Sequence, residues 1–418
     1  MELSTLRKGK MEAKMEESGP ELSPNHKSKN IKDIVLKTGL WYNIIRNQVR
    51  RMGEYMLMEC KAYLGGEVCR YEVNERCWRP WRKETVMYNI QPIVDKILER
   101  IEAHKIEGGK YARWLWQDEK GSRELGVNPY GCADAANLLY MLGHFPRDIE
   151  ERAKWVETMQ GMQDGESGLF HEKTHHTFHT TAHVAAALEL FDAAPLYRPI
   201  SVLGVLEEGG FARLMDSLDW SQPWRDSHQG AGIYVILKLC GEATPEWNET
   251  YFKWFWDNAD PETGFWRRGE YRSYENTPFY HFMGGAFHYF FNHESAHMPV
   301  RYPERIIDSC IKMYLEDGIG KTFGKKANFL EIDWIYCLTR SMEQCHYRYD
   351  EVLDILRRFT ADYMEFWNTV DWEKNESVND MHTLFGGVCG LAELQRVLRG
   401  ELRSDKPLKL VLDRRPFI

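Results

Sequence analysis

Residues 179–190 read HTTAHVAAALEL, and the predicted fold follows from the character of this segment and from its recurrence. Small and apolar residues occupy almost every side of this segment, which is typical of a helix buried all round. The same layout, a polar residue followed by an apolar segment with Gly and Ala, recurs about every 50 residues. Such a period predicts a helical repeat architecture. The six segments begin at Tyr130, His179, His228, His281, Asp333 and His382.

A candidate amphipathic helix precedes each apolar segment. In residues 302–316, for example, Ile306, Cys310 and Met313 share one helical face, and Pro303 sits near the start, where its missing N–H costs nothing. One face of these helices is therefore expected to pack on the apolar segments and the other to meet solvent. The candidate helices are 88–104, 147–160, 200–216, 246–258, 303–316 and 348–367.

Six pairs of one half-exposed and one buried helix predict an all-α fold, an (α/α)6 barrel or toroid of six helical hairpins. The alternative is an open solenoid, but an open array needs polar caps at both ends. The first and last pairs are as apolar as the middle ones, which favours closure. The predicted divisions are a disordered polar tail (1–33), an N-terminal helical extension (34–87), the toroid (88–400) and a C-terminal tail packed on the barrel (401–418).

Composition excludes several classes of protein. The chain has 418 residues, a net charge of −9, 43% hydrophobic and 13% aromatic residues. The aromatic content excludes a mostly disordered chain, and the acidic balance argues against a nucleic-acid partner. No apolar run suits a membrane, and residues 1–33 lack a secretory apolar region, so we expect a cytoplasmic protein with no membrane partner. The oligomeric state stays open.

Long loops are predicted to lie at one end of the barrel, where function usually resides. Aromatic and arginine side chains in or beside these loops could stack on sugar rings and bind hydroxyl groups. The alternative is that the aromatic residues only hold the loops against the barrel rim. The candidate substrate-binding residues are Trp224, Arg225, Trp266, Arg267, Tyr280 and Trp334.

Four aligned histidines, His179, His228, His281 and His382, would converge near the axis of a closed ring. Imidazoles transfer protons near neutral pH, so these are candidate catalytic residues. His179 and His183 also have the i, i+4 spacing of a two-histidine metal clamp, but the glutamate of an HExxH motif is missing. We therefore predict no metal site and no cofactor.

Three carboxylates, Asp134, Asp226 and Asp333, are candidate catalytic acids and bases. Aspartate is expensive to bury unpaired, so its presence in apolar helices needs a reason. Glycoside hydrolysis uses one protonated and one ionised carboxyl across the scissile bond, and Asp134 with Asp226 or Asp333 could form such a pair. Asp226 could equally cap a helix N-terminus.

Glycines gather in the first turns of the apolar segments, as at Gly131, Gly230, Gly232, Gly284 and Gly285. Glycine is unfavourable inside a helix, so a packing or ligand-binding reason is expected. The pattern predicts either close approach between helices or room for a ligand.

The loops DGESGLF (164–170) and DPETGFW (260–266), together with the six-step pattern, resemble the six-hairpin glycosidase superfamily. Within it the chain is most similar to the unsaturated glucuronyl and rhamnogalacturonyl hydrolases. That resemblance implies an intracellular oligosaccharide-processing enzyme with Asp134 and Asp226 as acid and base. The many histidines look more like the N-acylglucosamine epimerase barrels, in which paired histidines move protons on a sugar. The Gly-Phe loops also resemble terpene-cyclase toroids, although their aspartate-rich motifs are absent here.

Three functions follow as hypotheses. The first is a glycoside hydrolase acting on a small-molecule substrate, an acidic or substituted oligosaccharide, by carboxylate acid–base catalysis. The second is a sugar epimerase or β-eliminating lyase that uses the histidines of the inner helices. The third is a non-catalytic or terpene-cyclase-like toroid that binds an isoprenoid or a protein partner.

Overall fold

The computed structural model describes residues 61–64, 67–70, 86–266, 276–316, 318–415 and 417. The chain divides into two compact units, residues 1–82 and 83–418. The predicted polar tail (1–33) lies outside the described residues, as does most of the predicted extension (34–87).

The described part of the first unit is a β-hairpin. Strand β1 (Lys61–Leu64) pairs antiparallel with β2 (Glu67–Arg70), and Leu64 lies opposite Glu67. The prediction of a helical extension is therefore wrong for these residues. Two glycines separate the strands in the sequence, and a Gly-Gly pair between two short strands is a hairpin signal that the helical interpretation overlooked.

The described part of the second unit is mostly helical, which confirms the all-α prediction. Outer helices alternate with inner ones along the sequence. The outer helices are α1 (Gln91–His104), α3 (Ile149–Gln160), α5 (Gly210–Ser217), α7 (Pro245–Asn258), α9 (Pro303–Leu315) and α11 (Tyr349–Thr369). The inner helices are α2 (Pro129–Met141), α4 (Thr177–Glu189), α6 (Pro223–Leu239), α8 (Phe279–Ser295), α10 (Phe329–Cys345) and α13 (Met381–Val397).

Short elements complete this unit. A 3₁₀ helix (Ile200–Leu206) precedes α5, so the helix predicted at 200–216 is broken, and Gly209 at φ 68° separates the two pieces. Two further helices are brief, α12 (Glu376–Asn379) and α14 (Val411–Arg414). Strand β3 (Tyr88–Asn89) pairs parallel with β6 (Leu402–Arg403), and β4 (Lys105–Glu107) pairs antiparallel with β5 (Lys110–Tyr111).

The inner helices pack on one another in a cycle. Each of α2, α4, α6, α8 and α10 contacts the next inner helix along the chain, and α13 contacts both α10 and α2. Most residues of these helices are buried, whereas the outer helices bury one face. The apolar character seen all round the inner segments in sequence therefore corresponds to burial on all sides.

Close approach between elements accounts for the glycines. A Cβ on Gly232 would lie 2.8 Å from the Phe178 carbonyl oxygen, and one on Gly285 would lie 2.8 Å from the Pro223 carbonyl oxygen. Each contact joins neighbouring inner helices or their immediate ends. At these positions the structure supports helix packing as the reason for glycine.

The loops 164–170 and 260–266 adopt the same turn. In the first, the Asp164 N–H donates to the Leu169 carbonyl and the Gly168 N–H donates to the Asp164 carbonyl, both at 2.9 Å. The second loop repeats these two bonds at 2.9 and 2.8 Å. The last glycine of each loop has φ of 74° and 78°, a left-handed conformation that favours glycine. The repeat inferred from sequence thus extends to backbone hydrogen bonds.

Helix α14, Arg415 and Phe417 pack on the inner helices. Helix α14 contacts α8 and α2. Beyond it, Arg415 and Phe417 are fully buried, and the Phe417 ring lies 4.7 Å from His179 and 5.1 Å from Phe291, centroid to centroid. Phe417 therefore covers one side of the ring of His179.

Within the described ranges, none of the helices has both the length and the apolar character that crossing a bilayer requires.

Candidate functional site

A cavity of about 330 Å³ opens near the N-terminal ends of the inner helices. Five of the six aligned positions lie on its wall, so the convergence expected of the histidines is observed. Six imidazoles line this histidine cavity. The lining residues are His175, His179, Gln222, Trp224, Arg225, His228, His281, His288, Asn328, Phe329, Asp333 and His382.

Asp134 lies behind the cavity wall and orients His382. Its Oδ1 accepts hydrogen bonds from His382 Nδ1 at 3.1 Å and from His183 Nε2 at 2.8 Å. Burial raises the pKa of Asp134, but the two imidazoles outweigh burial and hold this pKa below its ordinary value. The ionised carboxylate can only accept, so His382 carries its proton on Nδ1. In the neutral ring the other nitrogen, Nε2, then carries the lone pair, and this ring lines the cavity.

A serine orients His288 in the same way. Ser227 Oγ lies 2.6 Å from the Trp224 carbonyl oxygen and 2.9 Å from His288 Nδ1. A carbonyl cannot donate, so the single hydroxyl proton goes to Trp224 and Ser227 must accept from His288 Nδ1–H. His288 therefore also leaves Nε2 unprotonated.

His175 is held by an ion-pair network on the loop that leads into α4. Its Nδ1 lies 3.0 Å from Glu172 Oε1, and its ring stacks on Tyr130 at 4.4 Å. Arg113 contacts Glu172 at 3.1 Å and both oxygens of Asp380 at 2.9 and 3.1 Å. These groups are largely buried, so the network fixes the loop against the start of α13.

Three histidines on α4, α6 and α8 form a tight cluster, the histidine triad: His179, His228 and His288. One ring nitrogen from each lies within 4.8 Å of the other two. Burial lowers the pKa of all three, to about 3 for His228 and well below the ordinary value for His179 and His288. They are therefore neutral near pH 7, the state in which imidazole binds metals. The Tyr130 hydroxyl is hydrogen-bonded to His179 Nδ1.

Asp333 lies in the wall of the same cavity, and its carboxyl group is buried. Its side chain is fully buried, and neither carboxyl oxygen has a hydrogen-bond partner on another residue. Burial raises the pKa of Asp333 well above its usual range, and the charge of the nearby Glu331 adds to this shift. Asp333 is therefore a neutral acid near pH 7 and can donate a proton or a hydrogen bond.

A second group, Asp134, His183 and His382, also has donor atoms within 4.8 Å of one another. Two of its imidazole nitrogens already donate to Asp134, so hydrogen bonding explains the arrangement. His179 and His183, the pair with i, i+4 spacing, belong to different clusters. They therefore do not form the two-histidine clamp that their spacing suggested.

The remaining candidates divide between the mouth of the cavity and the loops. Trp224, Arg225 and His281 line the cavity, and Tyr280 packs on Trp224 and His281. Asp226 does not reach the cavity. Its carboxylate accepts from the Asp219 N–H at 2.7 Å and from Arg225 Nε at 2.6 Å, so it organises the loop and holds Arg225.

The prediction that Trp266 and Trp334 bind substrate is wrong. Trp266 is 2% exposed, and its Nε1 donates to the Phe255 carbonyl. Trp334 is 0% exposed and donates to the Cys310 carbonyl on α9. Both indoles anchor the outer layer to the inner helices, which is where large aromatic side chains gain most from burial. Arg267 lies outside the described residues.

Sequence reasoning missed His288 and Ser227 and gave His175 no role of its own. His288 follows His281 by seven residues, or two helical turns, so both share one face of α8. That spacing could have identified His288. Ser227 gave no signal, because its role depends on which carbonyl and imidazole the fold brings to it.

No protein-family model, curated protein or solved structure matches this chain.

Proposed function

We propose that this chain is an enzyme that moves a proton at a carbon atom of a small hydroxylated substrate, as a sugar epimerase or a β-eliminating lyase does. The observation that carries the proposal is the hydrogen bond between His382 Nδ1 and the buried, ionised Asp134. It holds the imidazole in the tautomer that a general base needs, with Nε2 free to accept a proton.

The cavity offers matching partners for this chemistry. His382 Nε2 would remove a proton from carbon next to a carbonyl or carboxyl group, and Asp333 would donate to the oxygen that gains charge. A positioned general acid or base contributes roughly 10²–10⁴-fold to a rate. Trp224 and Arg225 at the mouth would bind a sugar ring and an anionic group of the substrate.

Glycoside hydrolysis has weaker support. It needs two carboxyl groups facing each other across the substrate, roughly 5–9.5 Å apart. Of Asp134, Asp226 and Asp333, only Asp333 lines the cavity, whereas the other two are held in hydrogen bonds behind or beside it. The imidazoles on the wall therefore favour the epimerase or lyase hypothesis.

The fold that we propose around this site is an (α/α)6 toroid. Its support is the cycle of contacts in which α13, the last inner helix, packs on α2, the first. Closure would bring all six aligned positions to one end of the axis, which suits a single deep site.

Deuterium exchange with a metabolite mixture tests the function while the substrate is still unidentified. The full chain is incubated in D2O with a protein-free extract of cellular metabolites, and mass spectrometry detects compounds that gain one mass unit. Solvent deuterium enters a C–H position when the enzyme removes a proton and returns one. We expect such a compound with the wild-type chain and its loss with His382→Gln.

His171→Gln is the matched control, because this imidazole is exposed on a rim loop and does not line the cavity. It should exchange deuterium like the wild type. The proposal would be contradicted if the chain cleaved a glycoside without incorporating deuterium at carbon and if His382→Gln kept this cleavage. That result would favour the hydrolase.

A further inference from the structure

We infer that the histidine triad, His179, His228 and His288, is a binding site for a divalent transition-metal ion such as zinc. The ring centroids are 4.1, 4.9 and 5.4 Å apart, and a nitrogen of each ring lies within 4.8 Å of the others. Three imidazoles with a fourth position open to a cavity are the ligand set of a catalytic zinc site.

The triad meets the protonation requirement of such a site. Imidazole binds a metal through an unprotonated nitrogen, so each ligand must be neutral and must hold its other nitrogen elsewhere. Ser227 accepts from His288 Nδ1–H, which leaves His288 Nε2 free. A metal bound at His179 Nε2 would select the tautomer in which Nδ1–H donates to the Tyr130 hydroxyl.

The surroundings favour a ligand-binding site over a packing cluster. All three rings border the histidine cavity. An ion about 2.1 Å from each nitrogen would hold the nitrogens roughly 3.4 Å apart, so binding would draw the rings together slightly. Nitrogen donors select zinc, copper, iron or nickel over calcium or magnesium, which prefer oxygen.

A catalytic role for the ion rests on the proposed function. When bound, a divalent ion polarises a carbonyl or hydroxyl oxygen of the substrate as a Lewis acid. His382 lies 6.5 Å from His179, centroid to centroid, so a base and the triad share one cavity. Binding of the metal itself requires only the triad and its hydrogen-bond partners.

Cobalt(II) is a suitable probe because its visible absorption distinguishes tetrahedral coordination from the octahedral aquo ion. The full chain, stripped with a chelator, is titrated with Co(II), and bound Zn(II) is counted in a parallel dialysis. We expect one ion per chain with an intense tetrahedral spectrum. His228→Gln should weaken binding by more than roughly 100-fold, and Ser227→Ala by roughly 10–100-fold through loss of the support for His288.

His281→Gln is the matched control, because His281 lines the same cavity but lies outside the triad. It should bind cobalt like the wild type. Equal binding by His228→Gln and the wild type, or only the aquo-ion spectrum, would overturn the site. If His228→Gln fails to fold, unchanged affinity in folded Ser227→Ala would overturn it instead. The titration needs no substrate, so its failure would leave proton transfer by His382 standing.

Discussion

Asp134 does not line the histidine cavity, but its carboxylate orients His382, which does. It receives two imidazole hydrogen bonds, and one of them determines which nitrogen of His382 is free. A buried carboxylate of this kind stabilises one tautomer of its partner and also any positive charge that the partner gains. Its catalytic role is therefore to position His382, and the substrate contact belongs to the imidazole.

We predict that Asp134→Asn lowers the rate of deuterium exchange by roughly 10²–10⁴-fold, because an amide can donate to His382 and favour the wrong tautomer. The rate is measured with the compound found by mass spectrometry, and circular dichroism verifies folding. Asp192→Asn, at an exposed side chain, is the control and should keep the wild-type rate. An equal rate in the folded Asp134→Asn variant would remove Asp134 from the mechanism.

Buried histidines away from the cavity make stability depend on pH. Burial lowers the pKa of His104 and of His293 to about 4. Between that value and about 6.5 the unfolded chain binds more protons than the folded one, so stability is greatest above this window and falls as pH decreases through it. We expect each residue to cost about 2 kcal/mol between about pH 7.5 and 5.

Urea denaturation across this pH range measures the effect. The double variant His104→Gln, His293→Gln should show a smaller loss of unfolding free energy on acidification than the wild type. His171→Gln, at an exposed imidazole, should keep the wild-type dependence. If the double variant lost as much unfolding free energy on acidification as the wild type, His104 and His293 would not be the buried neutral imidazoles that cause the effect.

Among the elements, amphipathic periodicity predicted most outer-helix boundaries, and capping residues mark several helix starts in the structure. Asn128, Asp148 and Thr244 accept hydrogen bonds from backbone N–H groups at the starts of α2, α3 and α7. Proline lies in the first turn of α2 and of α7. The predicted outer helix at 200–216 is the exception. Its amphipathic pattern continues across Gly209, but the backbone turns left-handed there, which periodicity alone does not reveal.

Arg113 joins two elements that carry cavity residues, the loop before α4 and the start of α13. Removing it leaves the carboxylates of Glu172 and Asp380 without their buried cation. We expect Arg113→Met to lower the free energy of unfolding by about 3–5 kcal/mol. Arg213→Met, which removes an exposed ion pair, should change it by less than about 0.5 kcal/mol.

Urea denaturation of the two variants gives this comparison directly. A similar small effect in both would mean that the Arg113 network is solvated and does not hold the loop. Because His175 is bonded to Glu172, loss of Arg113 should also move His175. Its ring NMR resonance should then shift in Arg113→Met but stay in place in Arg213→Met.

Glycine determines how closely α4 and α6 approach. A Cβ at position 232 would lie 2.8 Å from the backbone carbonyl of Phe178, which cannot move without the whole helix. We predict that Gly232→Ala destabilises the protein by about 1–3 kcal/mol through overpacking. Gly204→Ala is the control, because a Cβ there meets nothing within 4 Å. Equal thermal midpoints for both variants would contradict the packing explanation.

At the scale of the whole molecule, closure of the ring is the property that separates a toroid from an open array. Loss of residues 349–418 would remove α13 and expose the contact surface of α2. We predict that the truncated chain melts without cooperativity in circular dichroism, whereas an open solenoid tolerates the loss of a terminal repeat pair. A cooperative melt near the temperature of the full chain would contradict closure.

The sequence predicted the helical elements better than the site. Helices that are apolar on all sides and recur at an even spacing can be recognised from sequence with few assumptions. The aligned positions from His179 to His382 do meet in one cavity. The roles of individual residues depend on partners far away in sequence, as with Asp134 and His382. The predictions for Trp266 and Trp334 were wrong because an aromatic residue in a loop and one buried beneath it look alike in sequence.

Both proposals depend on free Nε2 lone pairs of His382 and His288 in the cavity. The most direct test is a ring-nitrogen NMR spectrum of the full chain labelled with ¹⁵N-histidine, assigned with His382→Gln and His288→Gln. The spectrum should show both residues as Nδ1–H tautomers near neutral pH, because Asp134 and Ser227 accept those protons. Nε2–H tautomers at these two positions would contradict the account.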